Sequence, residues 1–129
     1  MPSNFSLAYG LRIKQQESAM FSQLKEGSRR AFMHIWCPED YLLLNNNKFK
    51  GEFACTSSIQ LFVRYKCLHM HVHMRSANAY RVLPIDIFNF TTLQQRYINQ
   101  LGYGQGKFSI SFGSLHLYKQ DMPLVMKLK

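Results

Sequence analysis

Apolar positions along the chain first recur at helical intervals and then change to strand-like runs. In residues 12–26, Ile13, Met20, Phe21 and Leu24 stand among polar neighbours, which predicts a helix stopped by Gly27. Residues 31–37 are apolar and aromatic up to Pro38 and read as a buried strand. Two strand patterns follow, residues 59–65 and 67–75, with only Lys66 between them, so a tight turn must lie there. Leu83-Pro84 opens a long helix, with Pro at a first-turn position where its missing N–H does no harm. Phe90, Leu93, Tyr97 and Leu101 share one face of it, and Gly102 closes it. Phe108, Ile110 and Phe112 alternate with polar residues in a half-buried strand predicted to reach Tyr118, and residues 124–128 suggest a last short strand.

Several adjacent strands with one long helix predict an α+β fold, a mixed sheet with helices on one face. The other face needs a cover, and a second copy of the chain is the simple one. The chain has 129 residues, enough for one domain (1–129), and shows no internal repeat. Its 47% hydrophobic and 18% charged content excludes disorder, and no apolar run is long enough to span a membrane. The start, Met1-Pro2-Ser3-Asn4, lacks a secretory pattern, and three scattered cysteines form neither a disulfide framework nor a zinc motif. These features lead to the expectation of a reducing, cytoplasmic setting. Sixteen Lys and Arg against seven acidic residues give a net charge of +9, which suits nucleotides, phosphorylated metabolites and nucleic acid alike.

Candidate chemistry is sparse when each residue is taken singly. His69, His71 and His73 alternate on one strand face, but no carboxylate or cysteine joins them at ligand spacing, so no metal is expected. The glycine-rich stretch from Gly102 to Gly106 follows a helix and precedes a strand, the reverse of a phosphate loop, and reads as a flexible turn. Cys37 reads as a core thiol. Cys55 stands between Ala54 and Thr56-Ser57-Ser58 just ahead of a strand, and Arg75-Ser76 ends the strand pair. A hairpin can therefore bring the two together, and a guanidinium near a thiol favours the nucleophilic thiolate; an inert Cys and a surface Arg satisfy the same pattern.

Taken together in order, these residues resemble the thymidylate synthase family and its relatives, the pyrimidine hydroxymethylases. Tyr9-Gly10 with Arg12 is similar to Tyr-Gly-x-x-Trp-Arg, and Ser28-Arg29-Arg30 and Trp36-Cys37-Pro38-Glu39-Asp40 to Ser-Arg-Arg and Trp-Asn-Pro-x-Asp. Gln60-Leu61-Phe62-Val63 resembles Gln-Phe-Tyr-Val, Met74-Arg75-Ser76 resembles Gln-Arg-Ser, Leu83-Pro84-Ile85-Asp86 resembles Leu-Pro-Phe-Asn, and His116-Leu117-Tyr118 resembles His-Ile-Tyr. The intervals from Cys55 to Arg75 (20 positions), Arg75 to Asp86 (11) and Arg75 to His116 (41) equal the family's, with one short insertion around residues 45–51.

The resemblance implies a thymidylate synthase-like mixed sheet, a long helix on one face and a homodimer packed through the other. It implies a transferase of nucleotide biosynthesis, acting at C5 of a pyrimidine deoxynucleoside monophosphate with methylene-tetrahydrofolate as one-carbon donor. Cys55 would be the nucleophile. Arg75 would activate it and bind phosphate with Ser76 beside it, while Arg29 and Arg30 would reach the partner subunit's phosphate. Gln60 would line the pocket, and His116 and Tyr118 would hold the sugar hydroxyl. Asp86 replaces the synthases' Asn. A carboxylate only accepts, which suits the amine of cytosine and resembles the deoxycytidylate hydroxymethylase pattern; it also suits a helix start whatever the ligand. Asn78 stands in place of the family's folate-contacting Asp, Val82 in place of a Gly at the folate side, and Thr56 in place of His. The family's early segment, with its phosphate loop and folate-side residues, has no counterpart in the sequence, so a second polypeptide could supply it. A catalytically reduced nucleotide-binding or assembly subunit, and a basic nucleic-acid-binding domain, are the alternatives.

Overall fold

The computed structural model describes residues 9–45 and 53–128. The polar run that begins at Asn45 and the chain's first residues thus lie almost wholly outside them. Helix α1 (Tyr9–Lys25) leads through Gly27, at φ 68°, to the short strand β1 (Phe32–His34) and the single-turn helix α2 (Asp40–Leu44). Strands β2 (Thr56–Arg64) and β3 (Cys67–Met74) form a hairpin whose two turn residues, Tyr65 and Lys66, both take positive φ, of 52° and 61°. Two left-handed residues match the right-handed twist of the flanking strands, which is why so short a loop suffices. After β4 (Ala77–Asn78), helix α3 (Leu83–Leu101) crosses over to β5 (Gly104–Phe112), and β6 (Leu115–His116) precedes a 3-10 turn and α4 (Met122–Val125).

The main sheet runs β1-β2-β3-β5, antiparallel except for the β3–β5 pair, which the α3 crossover makes parallel. A second, two-stranded parallel ladder joins β4 to β6. Both long helices lie on one face, where Met33, Ile59, Leu61, Leu68, Met70, Val72 and Met74 are buried with Met20, Leu24, Phe90 and Tyr97. Glu17 of α1 ties the helices together: it accepts hydrogen bonds from Tyr97 (2.9 Å) and Lys14 (3.0 Å) and pairs with Arg96. Desolvation pushes this carboxyl up, but the bonds from Lys14 and Tyr97 and the Arg96 charge outweigh it and hold Glu17 below the usual range. The opposite sheet face carries Phe32, Gln60, Phe62, His69, His71 and His73, none of them buried.

Four expectations need correction, the first being the strand predicted to reach Tyr118: β5 ends at Phe112, and Leu115–His116 forms the separate β6, paired with β4 in the second ladder. Residues 31–37 are not buried on both sides; β1 is an edge strand in which Met33 is buried and Phe32 and His34 are exposed. The stretch around Gly104 and Gly106 is the start of β5, not a flexible turn. At Gly106 a Cβ would lie 2.2 Å from the Leu68 carbonyl oxygen, where the β3–β5 register shifts, so glycine answers a close backbone approach. The tail is helical over Met122–Val125, with Pro123 in its first turn, where a strand was expected from residue 124. Among the described residues no helix is long and apolar enough to cross a membrane.

Candidate functional site

Hairpin geometry brings Cys55 to Arg75. In an antiparallel pair the residue before the first strand must meet the residue after the second; Thr56 faces Met74, and the Arg75 N–H donates to the Cys55 carbonyl at 2.8 Å. The chain then enters β4, whose ladder with β6 sets Asn78 opposite His116. Helix α3 starts a few residues later with Asp86 in its first turn. All these elements meet at the carboxyl end of the parallel β3–β5 pair, the end where crevices form in such sheets.

There they line one cleft of about 410 Å³, walled by Phe53, Cys55, Arg75, Ser76, Ala77, Asn78, Val82, Asp86, His116 and Tyr118. Eight of these ten were anticipated from the sequence. The Arg75 guanidinium is fixed from behind: Nε donates to the Ala54 carbonyl at 3.1 Å, Nη2 to that of Phe53 at 3.3 Å, and its carbon lies 5.6 Å from the Trp36 ring centre. The same Ala54 oxygen accepts from the Trp36 indole at 2.7 Å, so one aromatic ring braces both the arginine and the segment that carries Cys55. Ser76 Oγ lies 3.4 Å from His116 Nδ1, and His116 and Tyr118 stack at a tilt with ring centres 5.4 Å apart. Burial pushes the Asp86 carboxyl above its ordinary value. Asn78 is buried; its Oδ1 accepts from the Tyr80 and Arg81 N–H groups, and its Nδ2 has no partner.

Arg29, Arg30 and Gln60 do not line this cleft. Both arginines are exposed ahead of β1, and the Gln60 amide, on the open sheet face, donates to the Arg29 carbonyl at 3.3 Å. Thr56 is wholly buried and donates its N–H to the Tyr9 hydroxyl at 3.0 Å. The histidine comb is engaged locally: His69 accepts from the Lys107 N–H, His71 bonds Ser109 and Ser111 at 2.8 and 3.1 Å, and His73 bonds Ser111 at 2.8 Å. Three arginines that add to the formal charge are spent on carboxylates, Arg12 on Asp40, Arg81 on Asp121 and Arg96 on Glu17. Sequence reasoning missed Phe53 and Ala77 as wall residues, and Trp36 as the brace beneath Arg75. The sole tryptophan, next to a Cys-Pro pair, was the available signal, but its partner was not legible.

Comparison with known proteins bears on the family and the fold. The family model described as thymidylate synthase matches residues 9–128. The thymidylate synthases of Bacillus subtilis subsp. natto and of Bacillus phage phi3T are each 27% identical to the chain over 109 residues, 83% of it. The chain spans 37% of the length of each of these relatives. The solved thermostable thymidylate synthase A from Bacillus subtilis superposes with a TM-score of 0.76 at 24% identity, covering 87% of this chain and 39% of that one. With the match running through almost all of the described residues, the chain belongs to the thymidylate synthase family.

Proposed function

We propose that the cleft binds a pyrimidine deoxynucleoside monophosphate and activates its C5 for substitution through Cys55, the chemistry of a C5 methyl- or hydroxymethyltransferase. The observation that carries this reading is the convergence, in one cleft, of a thiol, a braced guanidinium, a half-buried carboxylate and an imidazole–phenol pair. Each has a role the nucleotide requires. Arg75, with Ser76 beside it, presents a forked donor to the phosphate. His116 and Tyr118 reach the sugar hydroxyl, and Asp86 meets the base edge. The three free cysteines suit a reducing, cytoplasmic compartment, in which Cys55 stays a thiol.

A homodimer completes the reading. The open sheet face carries Phe32 and Phe62 beside polar groups, and Arg29 and Arg30 stand at its edge, outside their own cleft. A second copy packed on that face would bring its two arginines toward the phosphate and set Gln60 at the shared boundary.

The family relation implies methylene-tetrahydrofolate as the source of the carbon, a group that supplies an electrophilic one-carbon unit when bound. The resemblance sets Asn78 and Val82 against it. They do not fit a pterin. The edge that carries its 2-amino and N3–H groups needs acceptors, whereas the Asn78 oxygen is already taken by two backbone N–H groups. Val82 adds a branched side chain to the same wall.

A titration of dCMP and dUMP tests the reading. The protein should bind dCMP about tenfold tighter than dUMP, because an acceptor-only carboxylate matches the cytosine amine and opposes the uracil O4. Asp86→Asn should reverse the order. As pH falls through the raised value of Asp86, the carboxyl gains a proton and the preference should shrink. Calorimetry that shows no binding of either nucleotide would sink the reading, and equal binding would remove the cytosine assignment. Arg75→Ala should weaken dCMP binding by about 1.5–3 kcal/mol, roughly 10- to 150-fold, as expected for a lost bond to a charged group. Arg75→Lys should recover only part, since an ammonium lacks the fork. An unchanged Kd for Arg75→Ala in the same calorimeter would place the phosphate elsewhere.

A further inference from the structure

Asn78 is 5% exposed, lies in the wall of the cleft, and carries a carboxamide nitrogen with no hydrogen-bond partner. Its orientation is not arbitrary. The Tyr80 and Arg81 N–H groups, at 3.0 and 2.7 Å, can donate only to oxygen, so turning the amide over would oppose three donors to one another. The side chain is thereby locked with Oδ1 consumed in the turn that leads into α3 and Nδ2 left over. A buried amide N–H without a partner is unfavourable, and native proteins leave few of them unless a ligand or water completes the set.

We infer that Asn78 sets the polarity of this wall: it donates to an acceptor on the cleft's second ligand, a carbonyl or carboxylate oxygen, and rejects a donor edge such as that of a pterin. The inference rests on the proposed function in that the nucleotide is taken to share the cleft. A pterin turns its 2-amino and N3–H groups outward along one edge. Exchange of the 2-amino group for a 2-oxo group, as in a lumazine, turns a donor into an acceptor at nearly constant shape. The discrimination therefore turns on the sign of a single hydrogen bond.

The test pairs two probes with two proteins. Tetrahydropterin and its 2-oxo counterpart, tetrahydrolumazine, are titrated into the wild-type protein and Asn78→Asp, with and without saturating dCMP. Aspartate keeps an acceptor for Tyr80 and Arg81, so the turn survives, and a thermal melt checks this. The wild type should prefer the 2-oxo probe by about fivefold or more, and Asn78→Asp should prefer the pterin by a similar factor. A residue that only capped the turn would leave the preference unmoved by this substitution. The same order of preference in both proteins, a wild-type preference for pterin, or no binding of either probe to either protein overturns the inference. The dCMP isotherm is read separately. Absence of nucleotide binding alongside a reversed probe preference would refute the nucleotide reading and leave the Asn78 assignment standing.

Discussion

Cys55→Ala is expected to abolish exchange of the C5 hydrogen of bound dCMP with solvent, a loss of about a thousandfold or more, while the nucleotide still binds. On the proposed reading the Cys55 Sγ of the wild type would add to C6, the C5–C6 π electrons would move to C5, and C5 would take a deuteron from heavy water. Loss of the original C5 proton then restores the double bond and expels the thiolate. Every atom balances without a one-carbon donor, so the measurement isolates what this chain's own cleft can do. Alanine removes the sulfur and leaves the guanidinium in place, because Arg75 is held through the Ala54 and Phe53 carbonyls and the Trp36 ring, not through the Cys55 side chain. Affinity for dCMP should thus fall less than for Arg75→Ala. The C5–H resonance of the nucleotide, followed by NMR in heavy water, reads the rate directly. Wild-type exchange in the alanine variant, or none in a wild type saturated with nucleotide, would deny Cys55 its role.

How much of this cleft is legible in the sequence depends on whether a residue's place follows from chain connectivity or from packing between distant segments. Cys55 and Arg75 bracket two strand patterns joined by a minimal turn, so their meeting is a consequence of hairpin geometry. The site of Asp86 follows from the Leu83-Pro84 start of α3, and the Gly102 stop, at φ 74° with its N–H on the Ile98 carbonyl, fixes the other end. The errors have a different origin. An apolar, aromatic run such as residues 31–37 has the composition of a buried strand, yet β1 pairs only with β2 and keeps one face open. Gly104 and Gly106 look like turn residues until β3 is brought alongside, when the nearby Leu68 backbone shows why a side chain is excluded. Met122–Val125 is too short for periodicity to decide, and its place depends on the buried Asp121, which accepts two bonds from Arg81 at 2.6 and 2.7 Å. Nothing local to residue 121 announces a partner 40 positions earlier.

Arg12 shows the same limit, and it leads to the largest expected effect on stability. It stands beside Tyr9-Gly10 in the sequence as part of a family motif, but its guanidinium is buried against Asp40: Nη1 and Nη2 each donate to a carboxylate oxygen at 2.7 Å, and Nη1 also bonds the Ile35 carbonyl. Asp40 Oδ2 accepts a further bond from the Cys37 N–H at 2.9 Å, so the pair pins the Trp36–Asp40 corner onto α1. Asp40→Ala should cost about 3–5 kcal/mol, because it removes the counter-charge from a buried cation while leaving the cation in place. The double replacement Arg12→Met with Asp40→Leu should recover most of that loss, since two apolar side chains need no mutual compensation. The hydrogen bond from Arg12 holds the Asp40 carboxyl below its ordinary value, against the desolvation that pushes it up. Its contribution is therefore complete above the ordinary carboxylate range and drains away as pH falls through the lower, folded-state value. Chemical denaturation at neutral pH should show the full deficit of Asp40→Ala, and repetition toward acid should bring wild type and variant together. A deficit under 1 kcal/mol, or one that grows as pH falls, would mean that the corner is held by its apolar contacts. The consequence reaches the cleft without any contact between Arg12 and a ligand: the corner carries Trp36, and Trp36 is the surface on which Arg75 rests.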